Sequence, residues 1–305
     1  MSHLDASQLF SVQGLVAVIT GGGSGLGRTM ALALAQNGAT KVFIIGRRAD
    51  ALQETVSLAS RIGVIIPVVG DIASKESLEN AYRSVASQTE YIDLLIANSG
   101  TLGPRNPPIQ TADGGIATLE QYREQLWSVS MEDMTQTMHV NVTGAYFTAV
   151  AFLPLLDAAN KRRPPQVPGS GVLSPPRPQI IITSSIGGFM RKVSTGFAYQ
   201  ASKAAVTSLI KTLSTSLLDY DIRVNGIAPG IYPSEMTTGT LQSFGAQHGI
   251  TEGEIPKEVI PLTRAGSQQD IGGLVLFMAG ASGGYLNGSI MVTDGGRLAA
   301  FPSTY

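Results

Sequence analysis

The sequence predicts a single α/β domain built on a doubly wound, mostly parallel sheet of seven strands flanked by helices. Three observations carry this. Seven short apolar runs rich in Val and Ile recur along the 305 residues. Helical patterns separate them in strict alternation. The runs are almost continuously hydrophobic, as strands buried on both faces of a parallel sheet must be.

The predicted strands are Leu15–Ile19, Lys41–Ile45, Val64–Val69, Ile92–Ala97, Ile180–Thr183, Ile222–Ile227 and Ser289–Val292. The predicted helices are Gly25–Gln36, Ala49–Ser60, Lys75–Ser87, Met131–Leu156, Tyr199–Leu218 and Gln268–Ala279. Two stretches interrupt the rhythm. Thr101–Ser130 is long, rich in Gly, Pro and polar residues, and holds the sole tryptophan, Trp127. Asn160–Pro178 contains six of the 16 prolines together with Lys161, Arg162, Arg163 and Arg177. So many prolines can neither continue a helix nor enter a central strand, so residues 160–178 are expected to form a surface loop.

Composition narrows the function. Apolar residues make up 43% and charged residues 14%, which suits a well-packed domain and not a disordered one. A net charge of −1 leaves no whole-chain footprint for nucleic acid or an anionic membrane. With no Cys, disulfides, thiolate metal sites and a Cys nucleophile are excluded. His3, His139 and His248 are scattered, so no metal site is expected. The first 14 residues have no basic segment, and the apolar stretches Gly144–Leu156 and Ile271–Ala281 are too short to span a bilayer. A cytoplasmic location is expected, and the sequons at Asn141 and Asn287 are read as accidental.

The first strand runs into Thr20-Gly21-Gly22-Gly23-Ser24-Gly25-Leu26-Gly27, with a helix beginning near Gly25. Strand, glycine turn and helix are the context in which backbone N–H groups and the helix dipole hold a pyrophosphate. Gly21, Gly23, Ser24, Gly25, Leu26 and Gly27 are therefore candidate contacts, although the same turn would also serve to pack helix on strand. After the second strand the chain reads Ile45-Gly46-Arg47-Arg48, with no acid for a ribose 2′-hydroxyl. Two guanidiniums there suit a 2′-phosphate, so NADP(H) is expected in preference to NAD(H). Asp71 and Ile72 follow the third strand, where Asp71 either accepts from an adenine amine or caps the next helix; Ser74 is the better-placed cap. Asn98 and Gly100 end the fourth strand at the sheet edge where ligands collect in open α/β folds.

Tyr199 and Lys203 stand four residues apart on a predicted helix and so share a face. A cation about 4 Å from a phenol, at an effective dielectric of about 20, favours phenolate by roughly 4 kcal/mol. That argument expects the Tyr199 pKa, ordinarily about 10, to be drawn toward working pH, where a general acid–base is efficient.

These residues resemble the short-chain dehydrogenase/reductase family in its compact single-domain branch, over roughly residues 10–296, with 297–305 as a tail. The carrying motifs are the glycine turn, Asn98-Ser99-Gly100, Asn141 within His139–Gly144, Ser184-Ser185, Tyr199-Gln200-Ala201-Ser202-Lys203, Arg223–Gly230, and Asp294-Gly295-Gly296. The resemblance implies a Rossmann fold and a catalytic set of Asn141, Ser185, Tyr199 and Lys203. Tyr199 would be the acid–base, Ser185 would bind the reacting oxygen, Lys203 would also hold the nicotinamide ribose, and Asn141 would support a water leading from Lys203 to solvent. Pro229, Gly230, Tyr232 and Ser234 would lie beside the nicotinamide and pyrophosphate. Ser185 precedes Tyr199 by 14 positions, one more than the family's usual spacing. A one-residue insertion in Ile186–Phe197 reconciles them, with Ser184 as the alternative.

The reading is an NADP(H)-dependent ketone reductase or alcohol dehydrogenase. The alternative is a cofactor-binding protein on the same fold with a non-redox role, such as a cyclase or sensor; the presence of all four catalytic residues favours the enzyme. An α/β hydrolase would need a Gly-x-Ser-x-Gly elbow, and none is read in this chain. The substrate pocket is expected from Thr101–Ser130, Gly187–Ala198 and Tyr232–Ile250, apolar segments with few charges, Met236–Ile250 forming a mobile lid. A bulky apolar carbonyl compound of the secondary-metabolite kind fits. The resemblance also implies a homodimer or homotetramer through the helices Gly144–Leu156 and Tyr199–Leu218, with Arg297–Tyr305 reaching a neighbouring subunit.

Overall fold

The seven apolar runs form β1 (Val16–Thr20), β2 (Lys41–Gly46), β3 (Ile65–Val69), β4 (Leu94–Ala97), β5 (Gln179–Thr183), β6 (Arg223–Pro229) and β7 (Ile290–Thr293). They make one sheet in the order β3-β2-β1-β4-β5-β6-β7, parallel at every pairing. The structure is a computed structural model that describes residues 4–105, 109, 114–165, 168–169, 175–246 and 249–305.

Alternation along each strand sends side chains into two cores. Val18, Phe43, Ile45, Leu95 and Ile182 pack with Phe152, Leu156, Val206 and Ile210 on one face. Ala17, Ile19, Ile44, Ile96 and Ile181 pack with Met30, Leu34, Leu52, Ile271 and Val275 on the other. Both faces of the central strands are covered, hence their unbroken hydrophobic runs. Pro67 sits in β3, at the sheet edge where a missing N–H costs no ladder bond. Strand order reverses between β1 and β4, and the crevice outside those strand ends is where such sheets take ligands.

Helices Gly25–Gln36 and Gln268–Ala279 have the expected bounds. The second is closed by a capping box in which Ser267 and Asp270 each accept from the other's backbone N–H. The long helix expected over Met131–Leu156 is instead broken. Met131–Met138 passes into a π-helical turn, His139–Gly144, then Ala145–Ala151, and Leu153–Arg162 restarts with a bend of 41°. Pro154, near the start of that last helix, cannot lie in a helix interior, which explains the restart. No single helix among the described residues is long and apolar enough to cross a membrane.

The segment Thr101–Ser130 is more ordered than its composition suggested. It contains the helix Leu119–Trp127, begun by a capping box between Thr118 and Gln121. In Asn160–Pro178, the described part begins as the end of helix Leu153–Arg162. Arg163 then donates to Pro175 O at 2.7 Å, tying the two flanks together. Residues 166–167 and 170–174 of this expected loop lie outside the described residues, as do 106–108 and 110–113 of the first stretch.

The C-terminal tail folds back on its own chain. Arg191 N donates to Pro302 O at 2.8 Å and Thr304 N to Phe189 O at 2.8 Å, while the rings of Phe189 and Tyr305 meet edge-on. These contacts hold Arg297–Tyr305 against the loop after β5.

Candidate active site

At the C-terminal end of β1 the glycine turn takes conformations closed to other residues. Gly21 has φ +70° and Gly25 φ +51°. A Cβ on Gly27 would stand 2.2 Å from Gly21 O, so helix and turn touch through backbone. Arg28 donates to Gly23 O at 2.6 Å and pairs with Glu54, while Thr55 Oγ1 donates to Gly22 O at 3.0 Å. The turn is thus pinned from two helices. Ser24 makes no capping bond, which leaves the first-turn N–H groups of a twelve-residue helix to an anion.

Arg47 and Arg48 are exposed after β2, and Arg48 Nη2 lies 3.0 Å from Glu235 Oε1. Asp71 Oδ1 accepts from Ala73 N at 3.0 Å, while Ser74 caps the helix Lys75–Ala86. Ile72 is buried and packs on Gly144. Asn98 stitches three strand ends together: its N–H donates to Thr20 Oγ1, its Nδ2 to Thr20 O, and its Oδ1 accepts from Thr183 Oγ1. A Cβ on Gly100 would stand 3.1 Å from Asn141 Oδ1 and 3.6 Å from Lys203 Nζ. Glycine keeps that floor open, and the residues here fit a dinucleotide.

Asn141 sits in the π-helical turn. Its Oδ1 accepts from Thr101 N at 2.8 Å, and its Nδ2 donates to Thr101 O and Ser202 Oγ at 2.9 Å each. The two serines after β5 diverge. Ser184 donates its hydroxyl to Lys203 O at 3.0 Å and shares a bond with Thr207; Ser185 Oγ accepts from Gly187 N at 3.1 Å. Buried Lys203 donates its Nζ to Thr183 O at 2.9 Å, and the ammonium lies 5.8 Å from the centre of the Tyr199 ring. At the end of β6, a Cβ on Gly230 would meet Asp294 Cα at 2.8 Å. Tyr232 is buried in the cleft wall, and its phenol is bonded to Thr293 Oγ1 at 2.6 Å, which fixes the ring. Ser234 Oγ meets Thr237 Oγ1 at 3.0 Å.

One cleft of about 1110 Å³ takes in the glycine turn, Arg47, Arg48, Ser185, Tyr199 and Lys203. Its electrostatics correct one expectation. Burial pushes the Tyr199 phenol up from its ordinary value, and hydrogen bonding with Ser185 works against that shift. The Lys203 ammonium donates to the Thr183 carbonyl, and no depression of the phenol by it offsets the burial. Burial in turn lowers Lys203 to about 8.

The family model for short chain dehydrogenases matches residues 15–243. The chain belongs to the short-chain dehydrogenase/reductase family. It is 44% identical over 302 residues to the short-chain dehydrogenase/reductase PhomF of Diaporthe leptostromiformis, covering 99% of this chain and 97% of that one. It is 41% identical over 282 residues to SAT3 of Stachybotrys chartarum, covering 90% and 100%. Among solved structures, the Pseudomonas aeruginosa RhlG/NADP active-site complex superposes with a TM-score of 0.74 at 27% identity, covering 95% and 98%.

Within this short-chain dehydrogenase several cleft residues escaped sequence reasoning. Glu235 and Arg297 enter from distant segments, and Thr183 holds Asn98; short motifs carry no signal for any of them. The pocket is also less apolar than expected, since Arg105, Gln136, Ser194, Thr195 and Arg297 line it. The proposed lid contains the short helix Thr238–Ser243, with Leu241 and Ala246 buried against Ile255, Ile260 and Ala265. Gln247 and His248 of that segment, and His3, lie outside the described residues. His139 Nε2 lies 2.9 Å from Ala73 O, a packing contact. Among the described residues, no group of three or more His, Asp or Glu is placed to hold a metal. A Gly-x-Ser-x-Gly string does occur, at Gly280–Gly284, and the sequence reading overlooked it. It follows a helix and not a strand, and Ser282 donates to Phe277 O, so it is no nucleophile elbow.

Proposed function

We propose that this short-chain dehydrogenase/reductase is an NADP(H)-dependent ketone reductase or alcohol dehydrogenase acting on a bulky, largely apolar carbonyl compound of the secondary-metabolite kind. The observation that carries this is the opening of Ser185, Tyr199 and Lys203 into the cleft that also holds the glycine turn, Arg47 and Arg48. The reduced nicotinamide, when bound, supplies hydride to the carbonyl carbon. Tyr199, kept protonated by burial, gives its phenolic proton to the carbonyl oxygen. Ser185 donates to the same oxygen and stabilises its developing charge. It suits that role better than Ser184, whose hydroxyl is spent on Lys203 O. Lys203 holds positive charge beneath the phenol, and Asn141 fixes the neighbouring backbone through Thr101. Arg47 and Arg48 take the 2′-phosphate; Asp71, Ile72, Asn98, Gly100, Pro229, Gly230, Tyr232 and Ser234 shape the rest of the cofactor path.

The protein is further read as a cytoplasmic homodimer or homotetramer. Partly exposed Tyr146, Val150 and Phe197 on the helices Ala145–Ala151 and Phe197–Ser216 support that reading. Two relatives named as short-chain dehydrogenases/reductases, PhomF and SAT3, at 44% and 41% identity, support an oxidoreductase over the non-redox alternative. The deciding experiment adds a panel of ketones to the protein with NADPH and quantifies alcohol and NADP⁺ together. Stoichiometric formation of both is expected. Binding of NADPH with no ketone reduced across the panel would favour the cyclase or sensor.

A further inference from the structure

We infer that the substrate carries a carboxylate, and that Arg297 is the residue that binds it. This rests on the reductase reading for the identity of the pocket, though its test does not require turnover.

Arg297 is 8% exposed and lines the cleft. One of its nitrogens, Nη1, donates to Val259 O at 2.7 Å, and the guanidinium lies 4.6 Å from the centre of the Phe301 ring. No carboxylate comes within ion-pair distance of it among the described residues. The nearby acid, Asp294, acts on Arg297 through its charge alone: its oxygens accept from Gly296 N at 2.9 Å and Leu298 N at 2.7 Å and make no direct bond to the guanidinium. A guanidinium has five N–H donors, and burying them without acceptors is unfavourable. Arg297 lines the cleft, and its Nε and Nη2 make no hydrogen bond among the described residues. They are donors held in place and waiting for an acceptor.

Their location selects the substrate over the cofactor. The next residue, Leu298, packs with Ile186 and Met190, the wall that follows Ser185. The glycine turn and Arg47, assigned to the cofactor phosphates, belong to the first and second strand ends. Of the acids lining the cleft, Asp71 follows β3 and Glu235 is paired with Arg48. The wall around Arg297 thus contains a guanidinium with no carboxylate bonded to it. With Asp294 already offsetting part of its charge, the guanidinium suits a monoanion better than a phosphate dianion, and its planar fork matches the two oxygens of a carboxylate.

The test measures binding to the NADPH-loaded protein by quenching of NADPH fluorescence at fixed ionic strength. The probes are benzoylpropionate and benzoylbutyrate, each against its methyl ester, with Tyr199→Phe as the host so that nothing turns over. The acids should bind at least about tenfold more tightly than their esters, the scale of one charge-assisted contact. Arg297→Met should bring the acid down to the affinity of its ester, and Arg297→Lys should keep part of the preference. Equal binding of acid and ester, no binding by either acid, or a preference that survives Arg297→Met would overturn the proposal. Preference for the acids without reduction of any ketone by wild-type protein would uphold the carboxylate site and count against the reductase. If Arg297→Met does not fold, the wild-type comparison and Arg297→Lys still decide.

Discussion

Arg48 and Glu235, 187 positions apart in the chain, meet in the cleft wall with Nη2 3.0 Å and 3.1 Å from the two carboxylate oxygens. Both side chains are more than half exposed, so the pair contributes about 1 kcal/mol or less. A 2′-phosphate would therefore have to compete with Glu235 for Arg48, at little cost. Glu235→Gln removes the competitor, and NADPH affinity should rise by about two- to fivefold with NADH affinity unchanged. Titration of both cofactors checks this, and an equal gain for each would mean that Glu235 acts elsewhere.

Arg47 is exposed beside the same pair and has no competing acid among the described residues. Arg47→Asp should weaken NADPH by more than about a hundredfold, through one lost charge-assisted contact plus repulsion. NADH use should hold or improve, and the NADPH penalty should shrink in high salt. A mutant that still prefers NADPH would reduce Arg47 to a solvated surface charge.

Tyr199→Phe should leave NADPH binding nearly intact and lower turnover by at least about a hundredfold. Lys203→Met should harm both. The pH profile follows from burial. With the phenol pushed up, reduction keeps its proton donor across neutral pH, and the reverse reaction accelerates as pH rises. Lys203, lowered to about 8, should impose a loss of reduction above that pH, absent from Lys203→Met. Rate measurements in both directions test this; a reduction rate that rises through pH 8 would contradict it.

Asp270 accepts from Arg264 at 2.7 Å and from Ser267 N at 2.7 Å. The Arg264 hydrogen bond holds its carboxyl well below the usual range, although burial opposes this. A carboxyl that binds protons less readily when folded stabilises fully above its unfolded titration range, and that contribution fades as pH falls from there to its lower folded value. Asp270→Asn should cost about 1–2 kcal/mol at neutral pH and progressively less as pH falls below about 4, by denaturant midpoint. An equal loss at both would place the effect in packing.

The proposed dimer or tetramer predicts a mass by light scattering at least twice 31.9 kDa at micromolar concentration. A monomer there would count against pairing through Ala145–Ala151 and Phe197–Ser216.

The scaffold was largely legible in the sequence because each strand is a local apolar run and each main helix a local period. The glycine turn and the Tyr199–Lys203 pair were legible for the same reason, since their chemistry lies in spacing within a few residues. Contacts between remote segments were not. Nothing near Arg48 announces Glu235, and nothing near Ser185 announces Arg297. Tyr232 stands within a family motif, yet Thr293 takes its hydroxyl, a fact that only tertiary packing sets. The break at His139–Gly144 was hidden because a π-turn keeps the apolar content of a helix and changes only its winding. The Thr118–Gln121 box was a readable local signal that the surrounding Gly and Pro content masked.

That turn has a consequence for how the molecule can change. A π-helical turn carries one residue more than the α-helical ladder needs, and it lies between Met131–Met138 and Ala145–Ala151. Loss of a single residue from His139–Gly144 would let the two segments join as ordinary helix, each still facing its present neighbours. Asn141 would lose the offset that aims it at Thr101 and Ser202. Here the architecture and the placement of one side chain come apart at one codon: a deletion that the helices absorb would leave the shell intact and Asn141 out of register with Thr101 and Ser202.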